Sequence, residues 1–143
     1  MTDKWGRRLF KAGAVALLII GLVHSISFFQ KLVPANDTEK QLLDLMSNYK
    51  FDLAGSLRSM GDLMTGFSVC FMLAALAFGA FDLLLSGERT GLLKRVAFMN
   101  ILWLAAMTAV SLHYFFVVPT SFLVATLLIF VLVWWKLPAE GAT

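Results

Sequence analysis

Four long apolar runs, separated by polar connections, form the main pattern of the chain. They cover about residues 9–29, 62–85, 96–116 and 121–137. A helix needs roughly 20 apolar residues to span a bilayer, and backbone amides in lipid must be satisfied within their own segment. Each run therefore predicts a transmembrane helix. Because short connections follow the second and third runs, we expect one all-α domain over residues 1–143, an up-down bundle of four transmembrane helices.

The first connection, residues 30–61, is much longer than the others and has a pattern of its own. Loops of this length usually have structure or a function. In NDTEKQLLDLMSNYKFDL, a cap at Asn36, Asp37 or Thr38 precedes apolar residues at helical spacing, and the pattern predicts a short amphipathic helix on the outer leaflet. A solvated linker is the alternative. The apolar residues are Leu42, Leu45, Met46, Tyr49 and Leu53.

Composition and charge agree with a membrane protein and limit its partners. Of the 143 residues, 59% are hydrophobic and only 15% are charged, against about 25% charged in average soluble domains. The net charge of +3 does not indicate nucleic-acid binding, because the basic residues cluster at helix ends. The single cysteine, Cys70, cannot form an internal disulfide, and we expect it to be a small buried residue.

The distribution of basic residues predicts the orientation in the membrane. By the positive-inside rule, both termini are cytoplasmic, the protein is a multi-pass protein of the cell inner membrane, and the long connection is outside. The first apolar run is long enough to span, so we interpret it as a retained helix and not as a cleaved signal peptide. The basic residues that carry this prediction are Lys4, Arg7, Arg8, Lys11, Arg89, Lys94 and Arg95.

The chain has two histidines, His24 in IIGLVHSISFF and His113 in AVSLHYFFVVPTS. An imidazole in an apolar run must satisfy its ring nitrogens or cost free energy. At about 1.5 Å per residue, they lie roughly 8 Å and 5 Å below the outer ends of the first and third predicted helices. Small residues precede both at helical steps, so we expect both rings to point into the bundle. These residues are Gly13, Gly21, Ala105, Ala106 and Ala109.

The second predicted helix begins at the same level with LRSMGDLMTGFSVC. Arg58 and Asp62 are four residues apart, and Thr65 continues their stripe. The sequence predicts a polar pocket under the outer connection, which binds a small molecule, a lipid headgroup or a protein partner. The structural alternative is a surface pair of Arg58 and Asp62 worth about 0.2–0.5 kcal/mol. The candidate residues are His24, Arg58, Asp62, Thr65, His113 and Tyr114.

Two redox alternatives use the same residues. The first and third helices of an up-down bundle are diagonal, so a haem could lie between His24 and His113 as axial ligands. A metal site could instead use His24, His113 and Asp62, and the nearby thioethers of Met60 and Met64 would suit copper.

A third alternative is a structural accessory subunit of a larger membrane complex. Small-residue pairs at Ala75/Gly79 and Ala105/Ala109 would serve packing within the bundle or against a partner. Asp82 and Asn100 are expected to cap or bridge helices near the cytoplasmic end. Association of several copies of the chain into a homo-oligomer is a further alternative.

Three short motifs carry a resemblance to a known family: GLVHS, LRSMGDLMTGFSVCF and LHYFFVVPTSFLV. The chain resembles an uncharacterised family of small bacterial four-helix integral membrane proteins. The resemblance implies a fold and a location, and no established activity comes with it. The glutathione-linked four-helix enzymes are a poorer comparison, because this chain lacks their arginine-rich helices, and vitamin K reductase-like proteins need cysteine pairs.

The favoured hypothesis is a non-enzymatic integral membrane protein with a binding pocket at its outer end. His24, Asp62 and His113 are its expected polar contacts, and Arg58 is the expected partner for an anion or a headgroup.

Overall fold

The computed structural model describes residues 2–30 and 32–138. Met1, Lys31 and residues 139–143 lie outside this part, so the first and last residues of the chain, which were predicted to be cytoplasmic, are not described. In the described residues the chain is mainly helical, with one short hairpin in the first connection. The elements, in chain order, are α1 (Thr2–Ile26), a 3-10 turn (Ser27–Phe29), α2 (Asp37–Asn48), β1 (Lys50–Leu53), β2 (Ser56–Ser59), α3 (Met60–Leu85), α4 (Thr90–Tyr114) and α5 (Val117–Lys136).

Four of these helices are long and apolar enough to cross a membrane, which confirms the four predicted spans. They are Lys4–Ile26, Met60–Leu85, Thr90–Tyr114 and Val117–Lys136. The third span begins six residues earlier than the apolar run, whose first residue is Val96, because the helix continues through Lys94 and Arg95. Long basic side chains reach back to the interface while their stems lie along apolar surface, so two charges do not end a membrane helix.

The first connection contains the predicted amphipathic helix, in a shorter form. Asn36 is the N-cap of α2, and its side-chain oxygen accepts a hydrogen bond from the Glu39 N–H at 2.9 Å. The Glu39 carboxylate accepts in turn from the Ala35 N–H at 2.7 Å. The helix ends at Asn48, so Tyr49 and Leu53, which were predicted to extend its apolar stripe, lie outside it.

A β-hairpin with a two-residue turn, which was not predicted from the sequence, takes the place of the end of that helix. β1 and β2 pair antiparallel from Lys50↔Ser59 to Leu53↔Ser56. Both turn residues have positive φ, 52° at Ala54 and 85° at Gly55, as a type I′ hairpin turn requires. The Asp52 carboxylate also accepts a hydrogen bond from the Gly55 N–H at 2.7 Å. Ala-Gly is a weak turn signal, and the apolar residues around it mimic a helical repeat.

The chain divides into two compact units. The first unit holds Met1–Ile20 and Ala75–Thr143, and the second unit holds Gly21–Ala74. The first unit therefore contains all of α4 and α5 with parts of α1 and α3. The second unit contains α2 and the hairpin with the remaining parts of α1 and α3.

In the first unit, α4 and α5 form an antiparallel pair. The hydroxyls of Ser111 and Thr120 share a hydrogen bond at 2.7 Å near the short connection between the helices. At the other end, Lys94 Nζ donates to the Leu137 carbonyl at 2.9 Å. Only two residues, Phe115 and Phe116, connect the helices, and so short a connection is typical of antiparallel neighbours.

Small residues on α1 and α3 allow close packing within the first unit. Gly13 faces the ring of Phe130 on α5, and Phe10 packs edge-on against the same ring at a centroid distance of 5.9 Å. Gly79 on α3 faces the backbone carbonyl of Ala14. Membrane helices gain most of their association energy from such close contacts, since lipid tails are as apolar as the side chains.

Candidate functional site

The six predicted pocket residues fall into the two units of the chain. His24, Arg58, Asp62 and Thr65 belong to the second unit, and the two consecutive residues His113 and Tyr114 belong to the first. Within the second unit, Arg58 and Asp62 line one groove, and neither His24 nor Thr65 is among its lining residues.

Asp62 has a clear local role, because it caps the first turn of α3. Its Oδ2 accepts a hydrogen bond from the Ser59 N–H at 2.9 Å, and the Ser59 hydroxyl accepts from the Asp62 N–H at 3.1 Å. This reciprocal pair is a capping box, in which two backbone donors of the helix start are satisfied. The signal was present in the sequence as Ser-Met-Gly-Asp, three residues apart, and it explains why α3 begins at Met60.

Removal of this cap is expected to loosen the start of α3. Asp62→Ala and Ser59→Ala should each cost about 0.5–2 kcal/mol of local stability, the usual range for an N-cap. Hydrogen–deuterium exchange at the amides of residues 60–63 measures the effect. Asp44→Ala, which changes a carboxylate on α2, is the matched control and should leave these amides unchanged. Equal exchange in all three variants would show that the hydrogen bonds are not needed.

The groove lies between the hairpin and the first turns of α3. It is open and has a volume of about 550 Å³. The hairpin supplies one side, and α3 supplies the other along residues at helical spacing. The lining residues are Lys50, Leu57, Arg58, Asp62, Leu63, Gly66, Phe67 and Cys70.

The charged end of the groove carries two cations and one carboxylate, a net formal charge of +1. Lys50 and Arg58 both act electrostatically on Asp62, but neither forms an ion pair with a described residue. Arg58 Nη1 donates to the Leu57 carbonyl at 2.9 Å, which restrains the guanidinium. A guanidinium has five N–H donors and an ammonium three, so Arg58 and Lys50 keep donors for an added anion beyond the bond to the Leu57 carbonyl.

The apolar side of the groove runs along a helix that can cross the membrane. Leu63, Gly66, Phe67 and Cys70 lie on neighbouring positions of one helix face, at steps of three, one and three residues, which covers about 10 Å of α3. The Phe67 side chain is 75% exposed, and a Cβ added at Gly66 would meet nothing within 4 Å. Cys70 is also exposed, so the prediction of a buried cysteine was wrong. The stripe it shares with Gly66 and Phe67 faces outward.

His24 lies among aromatic rings in the second unit. Its imidazole packs edge-on against Phe71 at 4.9 Å and against Phe28 at 6.0 Å between ring centroids, and the side chain is half-buried. Such T-shaped contacts contribute to packing between aromatic side chains. Two of its neighbours in the second unit are therefore aromatic rings.

His113 has the opposite environment. Its ring contacts the neighbouring Tyr114 at 4.5 Å, and both side chains are exposed at the end of α4. The prediction that its face turns inward was wrong, because Ala105, Ala106 and Ala109 are exposed as well. The buried stripe of α4 is the neighbouring one, with polar groups that meet partners on other helices. It comprises Gly91, Leu93, Ala97, Asn100, Leu104, Thr108 and Ser111.

The described residues give the metal alternative no cluster of donors. Among residues 2–30 and 32–138, no group of three or more His, Cys, Asp or Glu side chains is placed to hold a metal ion. The bis-histidine haem and the copper site therefore stay predictions.

A buried polar pair joins α3 and α4 within the first unit. Asn100 Nδ2 donates to Asp82 Oδ2 at 2.7 Å, and the two residues are only 4% and 3% exposed. Of the two predicted roles, capping or bridging of helices, Asp82 and Asn100 therefore have the second, through a direct hydrogen bond. Farther along the same stripe of α4, the buried hydroxyl of Thr108 has no hydrogen-bond partner among the described residues. Polar groups in a membrane-spanning segment are costly, so such a pair needs its own satisfied hydrogen bond.

Comparison with known proteins gives no match: no protein-family model, no curated protein and no solved structure matches the chain. The resemblance to small bacterial four-helix membrane proteins thus stays a prediction.

Proposed function

We propose that the protein is a non-enzymatic integral membrane protein that binds a membrane lipid in the groove between the hairpin and α3. One observation carries the proposal: charged donors and an exposed apolar wall lie in the same groove, and the wall belongs to a spanning helix. A lipid has the same division between a polar headgroup and an acyl chain.

The openness of the apolar wall favours a lipid over a water-soluble ligand. Small soluble ligands are usually enclosed, with most of their surface buried. Phe67 is instead largely exposed on α3, and Gly66 leaves open space beside it. In a bilayer this surface faces acyl chains, so a ligand bound there must itself be lipid-soluble.

The chemistry of the groove favours binding over catalysis. Its carboxylate, Asp62, is engaged in the cap of α3. Its thiol, Cys70, lies eight residues farther along the helix, about 12 Å at the usual rise. The two groups are too far apart along α3 to act as a base and a nucleophile on one bond.

The proposal places the groove at the outer face of the cell inner membrane, in an up-down bundle with both termini in the cytoplasm. This orientation is supported by the basic residues at the starts of α1 and α4, which belong on the cytoplasmic side. The antiparallel contacts of α4 with α5 are consistent with an up-down order.

A variant that fills the groove tests the proposal. Gly66→Leu should lower phospholipid binding about tenfold, which equals ~1.4 kcal/mol, because the new side chain occupies space next to Phe67, at a position where a Cβ meets nothing within 4 Å. Leucine also favours a helix over glycine by about 1 kcal/mol, so the fold should persist. Native mass spectrometry of the purified protein, titrated with dioleoylphosphatidylglycerol and separately with dioleoylphosphatidylcholine, gives the affinities.

Gly87→Leu is the matched control, because Gly87 also has open space around it and lies outside the groove. It should bind both lipids as the unchanged protein does. If Gly66→Leu also binds both lipids unchanged, the groove is not a lipid site and the proposal is wrong.

The exposed alanine stripe of α4 favours one second candidate, a subunit that pairs with another membrane helix. Ala105 and Ala109 are exposed together on a helix apolar enough to span, and small residues permit close approach of a partner helix. Co-purification from the native membrane distinguishes this candidate, since a subunit is recovered at fixed stoichiometry with a larger complex.

A further inference from the structure

We infer that the groove selects lipids whose headgroup has a net negative charge. The inference rests on the proposed function, because it concerns the same groove and names the class of lipid that binds there. It follows from the charges at the groove's polar end and from their positions relative to the apolar wall.

The cations set the sign of the headgroup. Lys50 and Arg58 line the groove without an ion pair to any described residue, while the Asp62 carboxylate is held by the Ser59 N–H. Every phospholipid has a phosphate that these donors can bind. A choline or ethanolamine headgroup adds a cation of its own, which Lys50 and Arg58 repel. A glycerol headgroup adds no cation, so the lipid keeps the net negative charge of its phosphate. We therefore expect a lipid with a glycerol headgroup to bind more tightly than one with a choline or ethanolamine headgroup.

Arg58 is the better-placed of the two cations. Its guanidinium is restrained by the hydrogen bond from Nη1 to the Leu57 carbonyl. A guanidinium has five N–H donors in a planar fork that matches the oxygens of a phosphate, so donors remain after this bond is made. Restraint before binding reduces the conformational entropy that is lost on binding. Lys50 supplies a second, more mobile charge.

The position of the cations also fits a lipid. Both come from the hairpin, which precedes the first turn of α3, and the apolar wall continues along α3 from Leu63 to Cys70. A headgroup at Lys50 and Arg58 therefore leaves its acyl chains alongside α3. A free phosphate ion would use the cations alone and gain nothing from Phe67.

The test compares an anionic with a zwitterionic lipid of identical acyl chains. Dioleoylphosphatidylglycerol should bind about fivefold or more tighter than dioleoylphosphatidylcholine, as expected for one uncompensated charge near a membrane surface. Arg58→Gln and Lys50→Gln should each reduce this preference severalfold, and Arg58→Lys should retain part of it. Lys40→Gln removes an exposed charge on α2, outside the groove, and should leave the preference unchanged.

The possible results separate the inference from the proposed function. If Gly66→Leu weakens both lipids but the two bind equally well, the groove binds lipids without charge selection and the inference is wrong. If Gly66→Leu changes nothing, the proposed function itself is wrong. Inorganic phosphate can also be added as a competitor of bound dioleoylphosphatidylglycerol. If it displaces the bound lipid as effectively as further dioleoylphosphatidylglycerol does, the cations bind free phosphate and the inference is again wrong. Monodisperse elution of each variant shows that it is folded.

Discussion

Gly79→Leu is expected to disrupt the first unit, with a loss of about 3 kcal/mol or more in the free energy of unfolding. A Cβ at this position would lie 2.8 Å from the Ala14 carbonyl oxygen and 2.8 Å from Leu18 Cγ. A leucine side chain can change rotamer, but the backbone carbonyl of α1 cannot move without displacing the helix. Overpacking against flexible side chains costs about 1–3 kcal/mol, and contact with backbone adds to that.

The measurement is unfolding of the detergent-solubilised protein by heat or by SDS, followed by tryptophan fluorescence. Ala80→Leu is the matched control, since Ala80 is the next residue of α3 and is exposed. It should unfold as the unchanged protein does. Equal stability of the two variants would contradict close packing of α1 on α3 at Gly79.

Asp82→Ala is expected to destabilise the contact between α3 and α4 by about 1–2 kcal/mol. The substitution leaves the Asn100 amide, which is 4% exposed, without its acceptor. A buried group left unsatisfied costs about 1–3 kcal/mol in water-soluble proteins. In membranes the loss is smaller, because hydrogen bonds between membrane helices average about 0.6 kcal/mol and reach about 1.7.

The conservative variant distinguishes the hydrogen bond from simple packing. Asp82→Asn keeps an oxygen that accepts from Asn100 Nδ2, so it should retain the stability of the unchanged protein. Asn100→Ala should cost as much as Asp82→Ala, and the double variant should cost little more than either. Additive losses in the double variant would show that the two side chains act independently.

The sequence sufficed to predict four helices that are long and apolar enough to span a membrane, because lipid admits few alternatives to a long apolar helix. It also placed the cap of α2 at Asn36, Asp37 or Thr38, and the structure has it at Asn36, because a side chain that caps a helix is a local signal. It did not predict where α2 ends. Leu53 continues the helical repeat of apolar residues, but the chain turns at Ala54 and Gly55 and pairs with itself. Strand pairing depends on a partner segment, which a pattern along one segment does not contain.

The candidate site was predictable to the extent that it depends on neighbouring residues. Arg58 and Asp62 were expected together as a pair four residues apart on one helix; both line the groove, but Arg58 does so from β2 and only Asp62 from α3. Lys50 was missed because only the hairpin brings it to the groove. The alanines of α4 were predicted to form its inward face. The buried stripe instead contains Asn100, which is hydrogen-bonded to α3, and Ser111, which is hydrogen-bonded to α5. Small size alone does not distinguish an inner face from one left for lipid.

The hairpin also predicts where the length of the chain can change during evolution. Ser59 is both the last paired residue of the hairpin, opposite Lys50, and the cap of α3. An insertion or deletion of one residue within 50–59 would shift the strand register and turn Ser59 to the other face, away from Asp62. No such double role constrains Leu32 or Val33, which are exposed before α2. Among homologous chains, gaps should therefore occur before Asn36 and be absent between Lys50 and Asp62.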